Sequence, residues 1–313
     1  MLRSLYSAVG EELLAKIAVQ LEQAVARRTE ESRRGGIPGR VVARGPGWLV
    51  EDLVCTCGPR DRAFEEQHAE MSIAIVMAGS FQYRSGKGCE LMTPGTLLLG
   101  NAGQWFECGH EHGSGDRCVS FHYEPEYFER IAVGAGVRQG KAEFEALRIP
   151  AVREVSGLVA RACSGIEDGA EMSWEEFAVQ LAARAVELAN DVRPQNEEVA
   201  ASTLARVTRS VRAIERQAEG ELNLVTMARE AGLSPYHFLR TFERLTGVTP
   251  HQYVRRMRLR KAAVRLAREK TKVLDVALDC GFGDVSNFNR AFREEYGMSP
   301  RRYREGGRRS CKL

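Results

Sequence analysis

Residues 225–253 read VTMAREAGLSPYHFLRTFERLTGVTPHQY, and residues 275–303 read DVALDCGFGDVSNFNRAFREEYGMSPRRY. The second stretch restates the first. Phe238, Phe242, Gly247, Pro250 and Tyr253 correspond to Phe288, Phe292, Gly297, Pro300 and Tyr303, fifty positions on. Ala228 and Gly232 correspond to Ala277 and Gly281, forty-nine positions on, so one residue is inserted in the second copy. Whatever one copy folds into, the other must also form. Each copy predicts a short helix, a turn holding Gly, and a longer helix. Gly232 and Gly281 stand where the short helix stops and the backbone turns left-handed. Aromatics four apart share one face of a helix, so Phe238/Phe242 and Phe288/Phe292 back each long helix against its short partner. Gly247 and Gly297 end the long helices, with Pro three residues beyond.

A helix–turn–helix of this kind offers its second helix to the DNA major groove, N-terminal residues leading. Off the aromatic stripe, the first long helix carries Ser234, Pro235, Tyr236, His237, Arg240, Thr241 and Arg244. The second carries Asp284, Ser286, Asn287, Asn289, Arg290 and Arg293. Asn pairs with adenine, and Arg with guanine or phosphate. The bland alternative is the solvated face of a helical bundle. Charge bears on the choice: residues 201–313 hold 24 Lys and Arg against 12 Asp and Glu, a net +12, and residues 1–200 carry −9. Such asymmetry between halves points to a polyanionic partner for the basic one. The connector HQYVRRMRLRKAAVRLAREK (251–270) has no Gly or Pro, and Leu259, Ala262, Ala263 and Leu266 form a stripe on it. About nineteen helical residues span about 28 Å, close to the roughly 34 Å between successive major-groove faces. One rigid helix therefore sets two readers about one DNA turn apart. Arg255, Arg256, Arg258, Arg260 and Lys261 on it are candidates for phosphate contacts.

With these residues in view, 205–305 resembles the DNA-binding domain of the AraC/XylS family of bacterial transcription regulators. ALDCGFGDVSNFNRAFREEYGMSPRRYR carries the resemblance best, and MAREAGLSPYHFLRTFERLTGVTPHQYV also matches well. The resemblance covers about a third of the chain. It implies two helix–turn–helix subdomains joined by a helix, double-stranded promoter DNA as partner, and activation through RNA polymerase. It leaves the signal open, because the family's N-terminal domains vary.

The first half has a different texture. An amphipathic helix over 11–28 places Leu14, Ile17, Leu21 and Val25 at helical spacing. RRTEESRRGGIPGR then breaks it as a loop. From about 47 to 123, short apolar runs such as MSIAIVMAG and GTLLLG alternate with Gly, Pro and Asn, the pattern of a compact β-domain. LMTPGTLLLGNAG (91–103) resembles the strand–turn–strand of a cupin-like barrel, which would imply an effector pocket inside it. The helical period returns from 124, and Phe177, Leu181, Ala185 and Leu188 form one stripe behind a capping pair, Ser173 and Glu176. The fold expected is α+β: a cupin-like β-barrel with flanking helices, then an all-α domain of two helix–turn–helix subdomains. The boundaries expected are 1–46 helix and loop, 47–190 sensor and dimerisation domain, 191–198 linker, 199–305 DNA-binding domain and 306–313 tail. No apolar run approaches the roughly 20 residues of a spanning helix, and the charged start is unlike a signal peptide. The expectation is a cytoplasmic homodimer without membrane contact.

In the cytoplasm, eight cysteines are thiols, metal ligands or redox groups rather than structural disulfides. Cys55 and Cys57 share a face of a strand. If GHEHGSGD turns an antiparallel hairpin, Cys108 sits opposite Cys118 with His110 on the same side. Cys55, Cys57, Cys108 and Cys118 would then form a zinc cage, with His110 as a substitute ligand. A redox-responsive thiol pair and plain core packing stay open beside it. Cys163, Cys280 and Cys311 look incidental. His68 is a lone histidine, which is most often structural, and Trp105 and Phe106 are candidates for stacking on a ligand or for core. The alternative function is enzymatic, a cupin-type metalloenzyme or a zinc-thiolate alkyl acceptor fused to a DNA-binding domain. The histidine set of a catalytic cupin is missing from the sequence pattern, and the reading adopted is a non-enzymatic regulator answering a small molecule, metal or redox signal.

Overall fold

The structure is a computed structural model and describes residues 12–168, 172–190, 200–220 and 223–309. The expected linker at 191–198 and Cys311 lie outside the described residues. The chain opens with α1 (Glu12–Glu30), then β1 (Gly39–Gly45), β2 (Trp48–Cys55), β3 (Phe64–Gln67), β4 (Met71–Gly79), β5 (Phe81–Ser85), β6 (Gly88–Met92), β7 (Leu97–Gly100), β8 (Trp105–Gly109) and β9 (Asp116–Tyr123). Next come α2 (Pro125–Gly134), the two-residue β10 (Arg148–Ile149), α3 (Arg153–Asp168) and α4 (Trp174–Ala189).

Among the described residues, ten strands form two sheets, ordered β1-β2-β9-β4-β7-β10 and β3-β8-β5-β6. The larger sheet is covered on both faces, so its central strand β4 is buried at every position and reads as one apolar run. Ile73, Ile75 and Met77 face outward into a core shared with Ile17 and Leu21 of α1, Phe128 of α2, Val155 and Val159 of α3, and Phe177 and Leu181 of α4. Ala74 and Val76 face the other way, into the barrel interior, with Phe81, Tyr83, Met92, Leu98 and Cys118. The boundary expected between 46 and 47 differs in two ways. Gly39 to Gly45 pair antiparallel with β2, so the barrel starts inside the stretch expected as loop. Ile17 and Leu21 are sealed in the barrel's own core, which makes α1 part of this domain rather than a separate leader.

The second half is helical: α5 (Ala201–Arg216), α6 (Leu224–Glu230), α7 (Pro235–Thr246), α8 (Pro250–Arg268), α9 (Val273–Asp279), α10 (Val285–Tyr296) and α11 (Pro300–Arg309). The tail expected from 306 therefore continues a helix as far as Arg309. Two small cores divide these helices. One holds Val207, Val211, Met227, Ala228, Phe238 and Phe242, and the other Val276, Ala277, Phe288, Ala291 and Phe292. The connector α8 enters both, giving Tyr253 and Val254 to the first and Leu259, Ala262, Ala263 and Leu266 to the second. A helix shared by two cores cannot swing without opening one of them. Its start is fixed by a full capping box, Thr249 with Gln252, and by Pro250 in the first turn.

Three apolar contacts join the two halves. Leu91 of β6 joins the first small core, Ala160 of α3 the second, and Val264 of α8 the barrel core. Buried Arg148 pairs with Glu90 at 2.9 Å and donates to the carbonyls of Leu91 (3.2 Å) and Leu245 (2.8 Å), which ties the end of α7 to the barrel.

Candidate nucleic-acid interface and sensor cluster

The long helices of the two repeats are built alike. Ser234 caps α7 by accepting from the His237 N–H at 3.3 Å, and Asp284 caps α10 by accepting from the Asn287 N–H at 2.7 Å. Both end on a left-handed glycine, Gly247 at φ +77° and Gly297 at φ +71°. The phenylalanine pairs pack tilted at 5.6 and 5.5 Å between centroids and are fully buried. Burying one face so completely leaves the opposite face to solvent. On α7 that face shows Pro235, Tyr236, His237, Arg240, Glu243 and Arg244. On α10 it shows Ser286, Asn287, Arg290 and Arg293, with Asn289 half-buried beside them. Arg240 Nη1 donates to Tyr236 Oη at 3.4 Å, and Arg290 Nη2 to Asn287 Oδ1 at 3.3 Å. Each pair sits four or three residues apart on its helix, so the guanidinium is steered along the exposed ridge.

Two expectations are corrected here. Thr241 is 6% exposed and forms the floor of an open concavity of about 830 Å³ that Tyr236, His237, Arg240, Glu243 and Arg244 surround. It belongs to the packed side of α7, three residues after Phe238, and not to the groups free to reach a base edge. The basic residues of α8 are also engaged inside the protein. Arg255 and Arg256 pair with Glu294 and Glu295, Lys261 pairs with Glu219, and Arg260 is 3% exposed. Arg258 donates to the carbonyls of Ala218, Gly220 and Gly281. These side chains hold the rod to its neighbours.

In the barrel, β8 and β9 do not form the expected hairpin. Cys108 pairs with Phe64 and Tyr83 in the smaller sheet, whereas Cys118 pairs with Leu53 and Val76 in the larger. The two cysteines still approach, because both project into the interior between the sheets. The four-thiolate cage is replaced by a different set. Among the described residues, the metal-ligating atoms that come together within 4.8 Å belong to Cys55, His110 and Asp116, all buried. His110 Nε2 lies 2.7 Å from Asp116 Oδ2, and Cys118 Sγ donates to Asp116 Oδ1 at 3.3 Å. Cys57 shares a hydrogen bond with Cys55. Burial, then the Asp116 charge, pushes the Cys55, Cys108 and Cys118 thiols well up. That is opposite to what an exposed redox or nucleophilic thiol needs. Asp116 closes the stretch that the sequence predicts as a turn, which hides it as a ligand. Period-two spacing from Cys118 places it on the same strand face, directly across from Cys55.

His68 is not isolated either. Its Nε2 lies 2.8 Å from Tyr83 Oη, its ring stacks on Phe106 at 4.1 Å, and burial followed by the His122 charge lowers its pKa to about 4. His122 Nε2 lies 3.4 Å from Glu51 Oε2. Trp105 is 66% exposed and belongs to no core.

The pattern of the AraC-like ligand binding domain matches residues 50–195, and that of a helix-turn-helix domain matches residues 227–306. The HTH-type transcriptional regulator MtrA of Neisseria gonorrhoeae is 38% identical over 92 residues, which are 29% of this chain and 31% of that protein. The HTH-type transcriptional activator RhaS of Salmonella agona is 32% identical over 155 residues, 50% of this chain and 54% of that protein. The chain thus spans about a third to a half of the curated relatives it matches. Among solved structures, an AraC-type DNA-binding protein from Chromobacterium violaceum aligns over 34% of this chain and 96% of its own, at 25% identity and a TM-score of 0.32. ToxT from Vibrio cholerae aligns over 84% of this chain and 96% of its own, at 14% identity and a TM-score of 0.34. A ligand-binding barrel and a helix-turn-helix unit, matched in that order along one polypeptide whose own sequence repeats the reading unit, place the chain in the AraC/XylS family.

Proposed function

We propose that this protein is a sequence-specific DNA-binding transcription regulator that reads two consecutive major grooves with α7 and α10. One observation carries the reading: both long helices bury a phenylalanine pair and turn an arginine-bearing polar face to solvent. The similarity to RhaS, named a transcriptional activator, supports activation as the direction of control. The reading includes RNA polymerase and a second copy of the chain as partners, and an effector taken up by the barrel domain. No helix among the described residues is long and apolar enough to cross a membrane.

Selection from a random duplex pool with the full chain tests the reading. The expected outcome is a bipartite motif bound with a steep fall in affinity as salt rises, from phosphates neutralised by arginine. Equal retention of every sequence would contradict it.

A further inference from the structure

We propose that Cys55, His110 and Asp116 form a binding site for a divalent transition-metal ion, zinc(II) above all, and that Arg212 links its occupancy to the DNA-reading half. The linkage rests on the function proposed above; the metal site does not.

The site is assembled from both sheets. Cys55 closes β2 and Asp116 opens β9, and their Cα atoms are direct cross-strand partners. His110 follows β8 of the other sheet by one residue. All three side chains are buried, and one donor atom from each lies within 4.8 Å of the others. A sulfur, an imidazole nitrogen and a carboxylate oxygen suit a borderline ion such as zinc, whereas calcium and magnesium take all-oxygen shells. On binding, the Cys55 thiol proton leaves to solvent. The resulting thiolate and the Asp116 carboxylate then balance the ion's two positive charges. The His110–Asp116 hydrogen bond opens, its proton passes to His110 Nδ1 or to solvent, and the freed Nε2 and carboxylate both turn to the ion. Cys118, whose Sγ donates to Asp116 Oδ1 at 3.3 Å, lies outside the set of donor atoms that meet, which leaves the fourth tetrahedral position to a water.

The link to DNA reading lies in the turn between His110 and Asp116. Arg212, on the first helix of the reading half, donates from Nη1 to the Ser114 carbonyl (3.0 Å) and from Nη2 to the Gly115 carbonyl (3.2 Å). It also meets Ser80, at the end of β4, through Oγ and the carbonyl, each at 3.3 Å. The guanidinium lies so close to Gly113 that a Cβ there would come within 2.2 Å of it. Burial lowers the Arg212 pKa, and the charges of Glu215 and then Asp116 oppose that and favour its cationic form. A metal ion held by Asp116 would offset that attraction and reset the turn on which Arg212 rests. The helix carrying Arg212 packs through Val207, Val211 and Ile214 into the core of the first reading unit, so a shift there reaches α7.

The full chain is stripped with chelator, dialysed against zinc(II) alone, and its bound metal is measured. One ion per chain is expected, lost in Cys55→Ser and in His110→Ala but kept in Cys163→Ser. Cobalt(II) added to the wild-type chain should give a thiolate-to-metal charge-transfer band and the strong visible bands of a tetrahedral site, a readout that does not depend on any variant folding. No retained zinc, no thiolate band, or zinc undiminished in both ligand variants overturns the site. Affinity for the selected duplex is then measured with zinc and with chelator. A change of at least about fivefold is expected, abolished in Arg212→Gln although that variant keeps its zinc. Zinc bound with no change in DNA affinity overturns the linkage and leaves the site standing. Zinc bound by a chain that selects no duplex overturns the proposed function instead.

Discussion

Arg240 and Arg290 occupy the same step of the two repeats, two residues after the first phenylalanine of each pair. Each is exposed, and each is steered by a polar neighbour, Tyr236 or Asn287. Arg240→Ala or Arg290→Ala is expected to weaken binding to the selected site by roughly 1–3 kcal/mol in a titration, with a smaller loss on random DNA. Equal losses on both would assign the residue to phosphate alone. Thr241 shows where single-residue reading stops. It sits among reading residues in sequence, yet it is buried. A small β-branched side chain beside two phenylalanines packs as readily inward as outward, and only the neighbouring helix decides. Asp116 shows the same limit from the other direction: in sequence it closes a Gly-rich turn, and in the fold it completes the site that Cys55 and His110 begin.

Helices were easier to read than strand pairings. Each repeat carries its own cap, aromatic stripe and terminal glycine within about twenty residues, so local chemistry alone outlines it. The glycines can be told apart. At Gly297 an added Cβ meets nothing within 4 Å, whereas at Gly247 it meets Pro150 at 2.6 Å. Gly297→Ala is therefore expected to cost only the left-handed backbone penalty, about 1–2 kcal/mol. Gly247→Ala should cost more and loosen the seam to the barrel, as read from chemical denaturation. Equal costs would contradict this packing. The β8–β9 connection resisted sequence reading because neighbouring strands with a short turn usually pair. Here each finds its partner in a different sheet, and the pairing is settled by which residues must face the two interiors. The arginines of α8 likewise look like a DNA-facing row in sequence, but acceptors from α10 and from the turn after α5 claim them.

On the scale of the whole molecule, the barrel and the reading half share a polar seam. Glu215 at the end of α5 lies there, its Oε1 closed to solvent and without a hydrogen-bond partner, although the residue as a whole is half-buried. Burial raises its pKa to about 7 against the attraction of Arg212, Arg216 and Arg260 and the Gly79 N–H. The folded value is above the unfolded one. The associated stability is therefore complete below about pH 4.5 and is lost as pH rises through about 7. The shift corresponds to an effect on the order of 3 kcal/mol. Glu215→Gln should raise the melting temperature at pH 8 and flatten its dependence on pH between 5 and 8; an unchanged slope would place the titration elsewhere. The central claim concerns the two reading helices and the rod between them. Hydroxyl-radical footprinting of the full chain on its selected duplex tests it most directly. Two protected patches on one face of the DNA, centred about 10 base pairs apart, are the predicted result. A single patch, or two patches on opposite faces, would contradict it.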